Sequence, residues 1–580
     1  MKVGLPNDHG LSKKTIDHLV FKDNDIISLS DIQYSSLEFG VGKGESALVV
    51  APTSTGKTQI ALWAIAGSIE RSHNTVYLVT HRALAKQKFE DFKSLIVQPF
   101  LGGDLSSLVI ATGDYVYDAS GEMPSEPLNS PLLIATYEKY LALLSASGIP
   151  TNMDSTTIVC DEIQLIGDEH RGQSVELLLT LILNAGWKQF VGLSAVLDQK
   201  DAEDLANWLN VHPVVEHSRE KQLNYECWTN NGIVSANTSQ PGQISEPSAV
   251  PSGVNLNVLS VLYYLIGLAV PPKPIIVFCM KKQETYDLAK QFVDEFLRPT
   301  QQQLSLAFDE LPETSANEFL AETIEHGVGI HNADLMDEER HIIEERLSEN
   351  RLNIIFATST LAAGVNFPLG AAIFASWKRW NRERRDSVAI DPAEFHNMAG
   401  RTGRLGYDHE AGRVIFFAKN HQEIQASQQY LHFEKLPSIA PRISKEQFNR
   451  LSLQLIASGL CSTRDDMINL VCRTFSGLRE QDSNLRSYEE WPNQLDISID
   501  FLCRNGFLIE ALSKQLTATP VGKAIGYSGL LPETAIFLLN YVKDKARVIT
   551  DCLPTVNQPG DNDKLSFLVF TACFSSPEFR

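Results

Sequence analysis

Residues 49–65 read VVAPTSTGKTQIALWAI, and this stretch is the strongest local signal in the sequence. An apolar strand runs into a loop of Thr, Ser and Gly, which is followed by Lys57, Thr58 and a helical pattern. Backbone N–H groups in such a loop point at phosphate oxygens, and the start of the helix adds its positive dipole end. Lys57 can reach the β- and γ-phosphates of a nucleotide, and Thr58 can ligate Mg²⁺. The stretch predicts a nucleotide-binding loop, although Ala51 stands where the pattern GxxxxGK[ST] has glycine, and a helix-start loop without a ligand is the alternative.

Short apolar runs alternate with helical stretches around this loop, as in buried parallel strands with crossover helices. The first set comprises ALVV (47–50), VYLV (76–79), PLLIAT (131–136), TTIVC (156–160) and FVGLS (190–194). The second set comprises PIIVFC (274–279), NIIFAT (353–358), AAIFAS (371–376) and GRVIFF (412–417). We therefore expect two α/β units in tandem. Residues 230–255, rich in Ser, Pro, Gly, Asn and Gln, are typical of a loop or linker between them.

Two carboxylates follow one of these strands, in TTIVCDEIQ (156–164). The carboxyl edge of an open α/β sheet is where ligands bind. Asp161 would hold Mg²⁺, and Glu162 would orient and deprotonate an attacking water. A helix N-cap is the plainer interpretation of such a pair, but its place behind a phosphate-binding loop favours the catalytic one.

Two arginines stand in MAGRTGR (398–404). Arg401 and Arg404 are three residues apart, so they share one face if the segment is helical. Two guanidiniums can grip a γ-phosphate and stabilise its developing charge. A surface arginine pair is the alternative.

Composition limits the classes of protein that remain. The chain has 580 residues, 43% of them hydrophobic, and a formal net charge of −21. That charge argues against a protein whose whole surface is positive for binding nucleic acid. It does not exclude a local basic groove on an acidic protein. The longest apolar run, 258–270, is too short to span a membrane and predicts a buried helix. Eight scattered cysteines without a CxxC motif, and an N-terminus without a signal peptide, indicate a cytoplasmic protein.

After Lys419 the strand pattern stops and helical spacing begins. The order helix, helix, helix and hairpin predicts a winged-helix domain. Its last helix would be Leu495–Arg504, and FLIE (507–510) with QLTATP (515–520) would form its wing.

These motifs together resemble the superfamily 2 helicases, specifically the Ski-like DExH branch. The layout is most like that of archaeal-type fork-repair helicases and the helicase half of polymerase theta. The resemblance covers roughly residues 30–530. The motifs that carry it, in chain order, are SDIQYSS (30–36), APTSTGKT (51–58), THRALAKQ (80–87), ATGD (111–114), ATYEK (135–139), DEIQ (161–164), GLSAV (192–196), IVFCMKK (276–282), GVGIHNADL (327–335), ATSTLAAGVNFP (357–368) and NMAGRTGR (397–404).

The resemblance implies an α/β fold of two tandem RecA-like domains, followed by a winged-helix domain and a partial helical bundle. It places the domains at 1–215, 216–425, 426–530 and 531–580. The last would be the start of a ratchet-like bundle, which is either short or cut off at the end of this chain.

The resemblance also implies ATP and Mg²⁺ as cofactors. Catalysis would rest on Lys57, Asp161, Glu162, Arg401 and Arg404, with Thr58 and Asp161 as metal ligands. The nucleotide would contact Gln33, Ala51, Pro52, Thr53, Ser54, Thr55, Gly56, Lys57, Thr58 and Gly364. Three positions depart from the family pattern, because Gln164 replaces a histidine, Val196 a threonine and Asn397 a glutamine. The loss of the threonine hydroxyl weakens the expected coupling between ATP state and strand movement.

Nucleic-acid contacts are predicted in the same way. In relatives a strand-separating β-hairpin occupies the interval of WKRWNRERR (377–385), where guanidiniums can grip phosphates and tryptophans can stack on bases. A solvated basic loop is the alternative. The predicted contacts are Arg82, Lys86, Thr136, Lys281, Thr358, Trp377, Arg379 and Trp380.

Three functions remain open at this point. The first is a DNA helicase or translocase, 3′ to 5′ by resemblance, acting in DNA repair or genome defence on single-stranded or tailed-duplex substrates. The second is an RNA helicase, with DNA favoured over RNA. The third is an ATP-gated clamp that holds nucleic acid for a protein partner and unwinds weakly.

Overall fold

The computed structural model of the protein forms two compact units. The first comprises Met1–Thr136, Asp154–Gln164 and Trp187–Ile439, and the second comprises Tyr137–Met153, Leu165–Gly186 and Ala440–Arg580. The structure describes residues 2–24, 26–53, 55–113, 115–195, 197–219, 221–297, 308, 311–312, 314–359, 369–381, 385–403, 411–433, 435–436, 438–553 and 562–579.

The first unit begins with three short antiparallel strands and continues into an eight-stranded sheet. The short strands are β1 (Lys2–Val3), β2 (Lys22–Asp23) and β3 (Ile26–Leu29). The strands of the large sheet are β4 (Ala47–Val50), β5 (Asn74–Val79), β6 (Leu108–Thr112), β7 (Tyr115–Asp118), β8 (Leu132–Thr136), β9 (Thr156–Cys160), β10 (Gln189–Ser194) and β11 (His212–Val215). Their order is β11-β4-β10-β9-β5-β8-β6-β7, and only β7 runs antiparallel to its neighbour. Every residue of β4 and β9 is buried, which explains their continuous apolar sequence.

Helices lie between these strands in the chain. They are α1 (Lys13–Leu19), α2 (Asp31–Phe39), α3 (Lys57–Glu70), α4 (Arg82–Phe92), α5 (Gln98–Phe100), α6 (Tyr137–Ser147), α7 (Gly172–Ala185) and α8 (Gln199–Leu209). Of these, α6 and α7 belong to the second compact unit.

A second, seven-stranded sheet follows in the first unit, with the order β13-β12-β20-β17-β14-β16-β15. Only β13 is antiparallel to its neighbour. The strands of this region are β12 (Gln222–Thr229), β13 (Gly232–Asn237), β14 (Ile275–Phe278), β15 (Val328–His331), β16 (Ile354–Ala357), β17 (Ala371–Phe374), β18 (Lys378–Asn381), β19 (Asp386–Ala389) and β20 (Ala411–Ala418), of which β18 and β19 form a separate hairpin. The helices are α9 (Val258–Ile266), α10 (Lys282–Phe292), α11 (Ser315–Thr323), α12 (Asp337–Ser348), α13 (Pro392–Ala399) and α14 (His421–Leu431).

The nine strands predicted from apolar runs are all present, and the expectation of two tandem parallel sheets is confirmed. The prediction of a linker over 230–255 is wrong in part, because Gly232–Asn237 forms the edge strand β13. An edge strand needs only one partner and tolerates Ser and Asn, so its sequence lacks the apolar signal of a central strand. The helix predicted over 258–270 ends at Ile266.

The second unit is mostly helical. Its elements after residue 440 are α15 (Phe448–Ala457), α16 (Arg464–Cys472), α17 (Phe475–Ser483), α18 (Leu485–Glu489), α19 (Trp491–Arg504), β21 (Leu508–Glu510), β22 (Leu516–Ala518), α20 (Pro520–Ser528), α21 (Pro532–Asp544), α22 (Ala546–Cys552) and α23 (Asn562–Ser575). Helices lead into an antiparallel hairpin, as the winged-helix prediction requires, and that assignment and the four domain boundaries stay predictions.

One buried carboxylate joins separate segments of the second unit. Glu176 of α7 accepts hydrogen bonds from the Ser476 backbone N–H at 2.5 Å and from the Ser476 hydroxyl at 2.8 Å. Burial raises the pKa of Glu176 to about 7. Arg442 donates from Nε to the Gly167 carbonyl at 2.8 Å, close in sequence to the DEIQ motif. Within the described residues, none of the helices has both the length and the apolar character needed to cross a membrane.

Candidate nucleotide and nucleic-acid sites

The loop between β4 and α3 is held by the start of α2. Ser30 caps α2, and its hydroxyl donates to the Thr55 carbonyl at 2.7 Å. Gln33 completes the capping box and donates from Nε2 to the Gly56 carbonyl at 3.2 Å. Gly56 has a φ of +85°, and a Cβ there would lie 2.1 Å from Gln33 Nε2. The loop therefore requires glycine at this position. Gln33, which is predicted to contact the nucleotide, lies against the loop. Ser30 was not predicted, although its place three residues before Gln33 is a capping-box signal.

Lys57 is folded back onto the loop. Its Nζ donates to the Ala51 carbonyl at 2.6 Å and to the Pro52 carbonyl at 2.8 Å. Burial lowers its pKa to about 8, while the carboxylates of Glu162 and Asp161 act in the opposite direction. Lys57 and the two DEIQ carboxylates therefore interact electrostatically.

Asp161 follows β9 directly and is held by β5. Its backbone N–H donates to the Leu78 carbonyl at 2.9 Å, and its Oδ2 accepts from the Tyr77 hydroxyl at 2.9 Å. Burial and the Glu162 charge raise the pKa of Asp161, while Lys88, the Tyr77 hydrogen bond and Lys57 oppose that shift. Tyr77 is fully buried and Lys88 nearly so. Both were missed by the sequence analysis, since a tyrosine within a strand and a lysine within a helix carry no motif signal.

Gln164 connects Glu162 to the end of β10. The Ser194 hydroxyl donates to Gln164 Oε1 at 2.7 Å, and Gln164 Nε2 donates to Glu162 Oε2. Glu162 has a φ of +55°, a left-handed conformation that costs a side-chain-bearing residue energy and recurs at functional sites. Glutamine thus bridges the DEIQ and GLSAV motifs where the family has histidine. Val196, the second of the three departures, lies outside the described residues.

The motif NMAGRTGR meets the nucleotide loop. Helix α13 ends at Ala399, so Arg401 lies beyond the helix. Arg401 therefore does not share a helical face with Arg404, as it would if the segment were helical. The Thr53 hydroxyl donates to the Gly400 carbonyl at 2.5 Å. Burial lowers the pKa of Arg401, and the charges of Glu162 and Asp161 oppose that shift. Arg401 therefore acts electrostatically on the same carboxylates as Lys57. Ser54, Gly364 and Arg404 lie outside the described residues.

We call the site formed by the loop between β4 and α3, the DEIQ carboxylates and the turn of Arg401 the nucleotide cleft. Its residues fit Mg²⁺ and a nucleoside triphosphate. Thr58 Oγ1 lies 3.5 Å from the Lys88 ammonium, which also acts on Asp161, so a hydroxyl and a carboxylate oxygen share one cationic neighbour. Oxygen ligands of this kind suit Mg²⁺, which is usually held by one or two protein groups together with phosphate oxygens. In the described part of the chain, no cluster of three or more His, Cys, Asp or Glu residues could hold a metal by itself.

The predicted nucleic-acid contacts divide by exposure. Strands β18 and β19 form the expected hairpin, and Trp380 on it is 56% exposed. Trp377 is only 3% exposed, and its Nε1 donates to the Phe417 carbonyl at 2.7 Å. The prediction that Trp377 contacts nucleic acid is therefore wrong, because its ring belongs to the core of the second sheet.

Several of the other predicted residues contact this chain's own acids. Lys86 pairs with Asp337 at 3.0 Å, and Arg379 pairs with Glu394 at 2.6 Å. Lys282, beside the exposed Lys281, pairs with Asp334 at 2.5 Å. Arg82 packs against Gly113, Thr136 is buried at the end of β8, and Thr358 follows β16 and is half-buried.

Comparison with known families agrees with this arrangement. Residues 30–205 match the DEAD/DEAH box helicase family, and residues 257–406 match the helicase conserved C-terminal domain. The chain thus carries both helicase domains and is an ATP-dependent helicase. It is similar to archaeal helicases of the Ski2-like kind within superfamily 2. It is 29% identical to the ATP-dependent DNA helicase Hel308 of Thermoplasma volcanium over 557 residues, which are 94% of this chain and 74% of the relative. It is 28% identical to the protein of the same name from Pyrococcus horikoshii over 543 residues, 93% of this chain and 69% of the relative.

Proposed function

We propose that this protein is a DNA helicase that uses ATP to move 3′ to 5′ along a single strand, in DNA repair or genome defence. One observation carries the proposal. Lys57 of the nucleotide loop, the carboxylates of Asp161 and Glu162, and Arg401 after α13 lie close enough to perturb one another's charge, and Thr53 of the loop donates to the Gly400 carbonyl beside Arg401. The DNA substrate rests on the similarity to relatives named as DNA helicases.

Each residue has a distinct role in hydrolysis. Lys57 would exchange its carbonyl contacts for the β- and γ-phosphates, and Arg401, with Arg404, would stabilise negative charge on the transferred phosphoryl group. Glu162 would orient the attacking water and accept its proton. Thr58 and Asp161 would hold Mg²⁺, which when bound neutralises phosphate charge. Gln33, the residues 51–56 and Gly364 would position the nucleotide.

Exposed cations would hold the strand, and the hairpin would separate it from its partner strand. Trp380, Arg379, Lys86 and Lys281 are the residues best placed for this among those described, because they are exposed or lie in surface ion pairs. Arg82, Thr136 and Thr358 would contribute from their motifs after rearrangement, since Thr136 is buried in this state.

Strand displacement tests the proposal. Purified protein is mixed with ATP, Mg²⁺ and a duplex carrying a 3′ DNA tail, a 5′ DNA tail or a 3′ RNA tail, and release of the labelled strand is followed. Glu162→Gln is the matched blank, because it keeps the size of the side chain and one accepting oxygen and removes the base.

We expect release from the 3′ DNA tail only, and none with Glu162→Gln. Preference for the RNA tail would make the protein an RNA helicase. ATP-dependent binding without release would favour the clamp. Either result would contradict the proposed function.

A further inference from the structure

Arg219 lies outside every motif singled out in the sequence. It stands in the connection between β11, which ends at Val215, and β12, which begins at Gln222, and so between the two sheets. Its side chain nevertheless reaches the nucleotide cleft. Nη2 donates to the Gly400 carbonyl at 3.1 Å and to the Thr402 carbonyl at 3.4 Å. These two carbonyls flank Arg401 on both sides in the sequence.

The Gly400 carbonyl is a meeting point of three segments. It accepts from Arg219 of the connection and from Thr53 of the nucleotide loop, the latter at 2.5 Å. A Cβ on Gly400 would lie 2.4 Å from Thr53 Oγ1 and 3.0 Å from the His396 carbonyl. Only glycine allows this close approach, so the turn that carries Arg401 is fixed by contacts on both of its sides.

The charges in the cleft match this placement. Arg219 lowers the pKa of Lys57, as Arg401 does, and burial lowers the pKa of Arg219 itself. Within the described residues Arg219 makes no hydrogen bond or ion pair with a carboxylate, and it donates instead to the two carbonyls, at 3.1 Å and 3.4 Å. Even a partly buried guanidinium is costly to desolvate, and its hydrogen bonds to carbonyls offset that cost only while the turn stays in place.

We propose that Arg219 is a positioning residue, which holds the turn 400–402 so that Arg401 faces the carboxylates of motif DEIQ and the γ-phosphate. This inference rests on the proposed ATP hydrolysis and adds to it a residue from the connection between the sheets. The guanidinium acts through Arg401 and does not itself touch the nucleotide.

The role predicts a particular kinetic signature. A misplacement of about 1 Å at a reacting group can cost about 100-fold in rate. Arg401 stabilises charge that develops mainly in the transition state, so loss of its position lowers kcat more than it raises KM. Binding of ADP, which lacks the γ-phosphate, is expected to change little.

Arg219→Gln and Arg219→Lys test the inference in the whole 580-residue chain. Arg547→Gln is the matched control, because it removes an exposed arginine from α22. Steady-state hydrolysis gives kcat and KM, and fluorescence titration gives the affinity for ADP alone and for ADP with aluminium fluoride, a mimic of the transferring phosphoryl group. Circular dichroism melts verify that each variant is folded.

We expect Arg219→Gln to lower kcat by about 10- to 100-fold and to weaken binding of ADP with aluminium fluoride by a similar factor, with ADP affinity within about twofold of wild type. Arg219→Lys, which keeps the charge on a more flexible stem, should be intermediate. Unchanged kcat in both variants would overturn the inference, as would an equal loss of ADP affinity, which would assign Arg219 to phosphate binding. If Arg219→Gln is unfolded, Arg219→Lys decides by the same criteria. Absence of hydrolysis in the wild type would instead contradict the proposed function.

Discussion

The nucleotide cleft and the predicted nucleic-acid contacts differ in what holds their side chains. In the cleft, Lys57, Asp161 and Gln164 are bound by defined partners in partly or fully buried positions. Among the predicted nucleic-acid contacts, Lys86 and Arg379 lie in exposed ion pairs with the chain's own acids. Exposed ion pairs contribute little free energy and are readily exchanged. The cleft residues are therefore held by internal hydrogen bonds, of which Lys57 would exchange its own for the phosphates. Lys86 and Arg379 would instead exchange a protein carboxylate for a nucleic-acid phosphate.

The largest effect is expected where the cleft loses its central cation. Lys57→Ala should lower kcat for ATP hydrolysis by at least about 100-fold, because the β- and γ-phosphates lose their ammonium partner. Phosphate release measures this, with Lys543→Ala, an exposed lysine of α21, as the control. Turnover near that of the wild type would remove the loop from the active site.

The two tryptophans near the hairpin should separate stability from strand separation. Trp377→Ala should lower the free energy of unfolding by about 3–5 kcal/mol, because it empties a buried site. Trp380→Ala should leave the melting temperature and hydrolysis almost unchanged and slow strand displacement. Equal effects of the two substitutions on stability would contradict the burial difference, and unimpaired displacement by Trp380→Ala would make the hairpin an ordinary surface loop.

Tyr77→Phe removes only the hydroxyl that donates to Asp161. A hydrogen bond to a charged group is worth about 1.5–3 kcal/mol, so we expect kcat/KM for ATP to fall about tenfold or more. Tyr430→Phe is the control, since it removes a buried hydroxyl that donates to the Ile390 carbonyl at 2.7 Å. If both variants lose activity equally, the Tyr77 hydroxyl has no special role at Asp161.

The smallest effect is expected at the exposed ion pair. Asp337→Asn removes the partner of Lys86 and should raise the affinity for single-stranded DNA about two- to fivefold at low salt. The gain should shrink as salt increases, because surface charges are then screened. Fluorescence anisotropy measures it, with Asp544→Asn on α21 as the control. Unchanged affinity at low salt would show that Lys86 is not a phosphate contact.

The sequence predicts the cleft far better than its surroundings. Central strands can be recognised from their continuous apolar runs. The residues of APTSTGKT and DEIQ have a fixed spacing because the backbone geometry at the end of a strand requires it. The edge strand β13, the support of Asp161 by Tyr77 and the contacts of Arg219 depend on tertiary neighbours, which local sequence does not encode. Trp377 shows the same limit, because a tryptophan in a basic segment looks alike whether its ring is buried or exposed.

Hydrolysis of ATP in the presence and absence of single-stranded DNA tests the central claim most directly. With Glu162→Gln as the blank, we predict that wild-type turnover is stimulated by DNA more than by RNA and that the blank is inactive under all conditions. Turnover that survives in Glu162→Gln, or that is indifferent to nucleic acid, would contradict the assignment of this cleft as the motor of a DNA helicase.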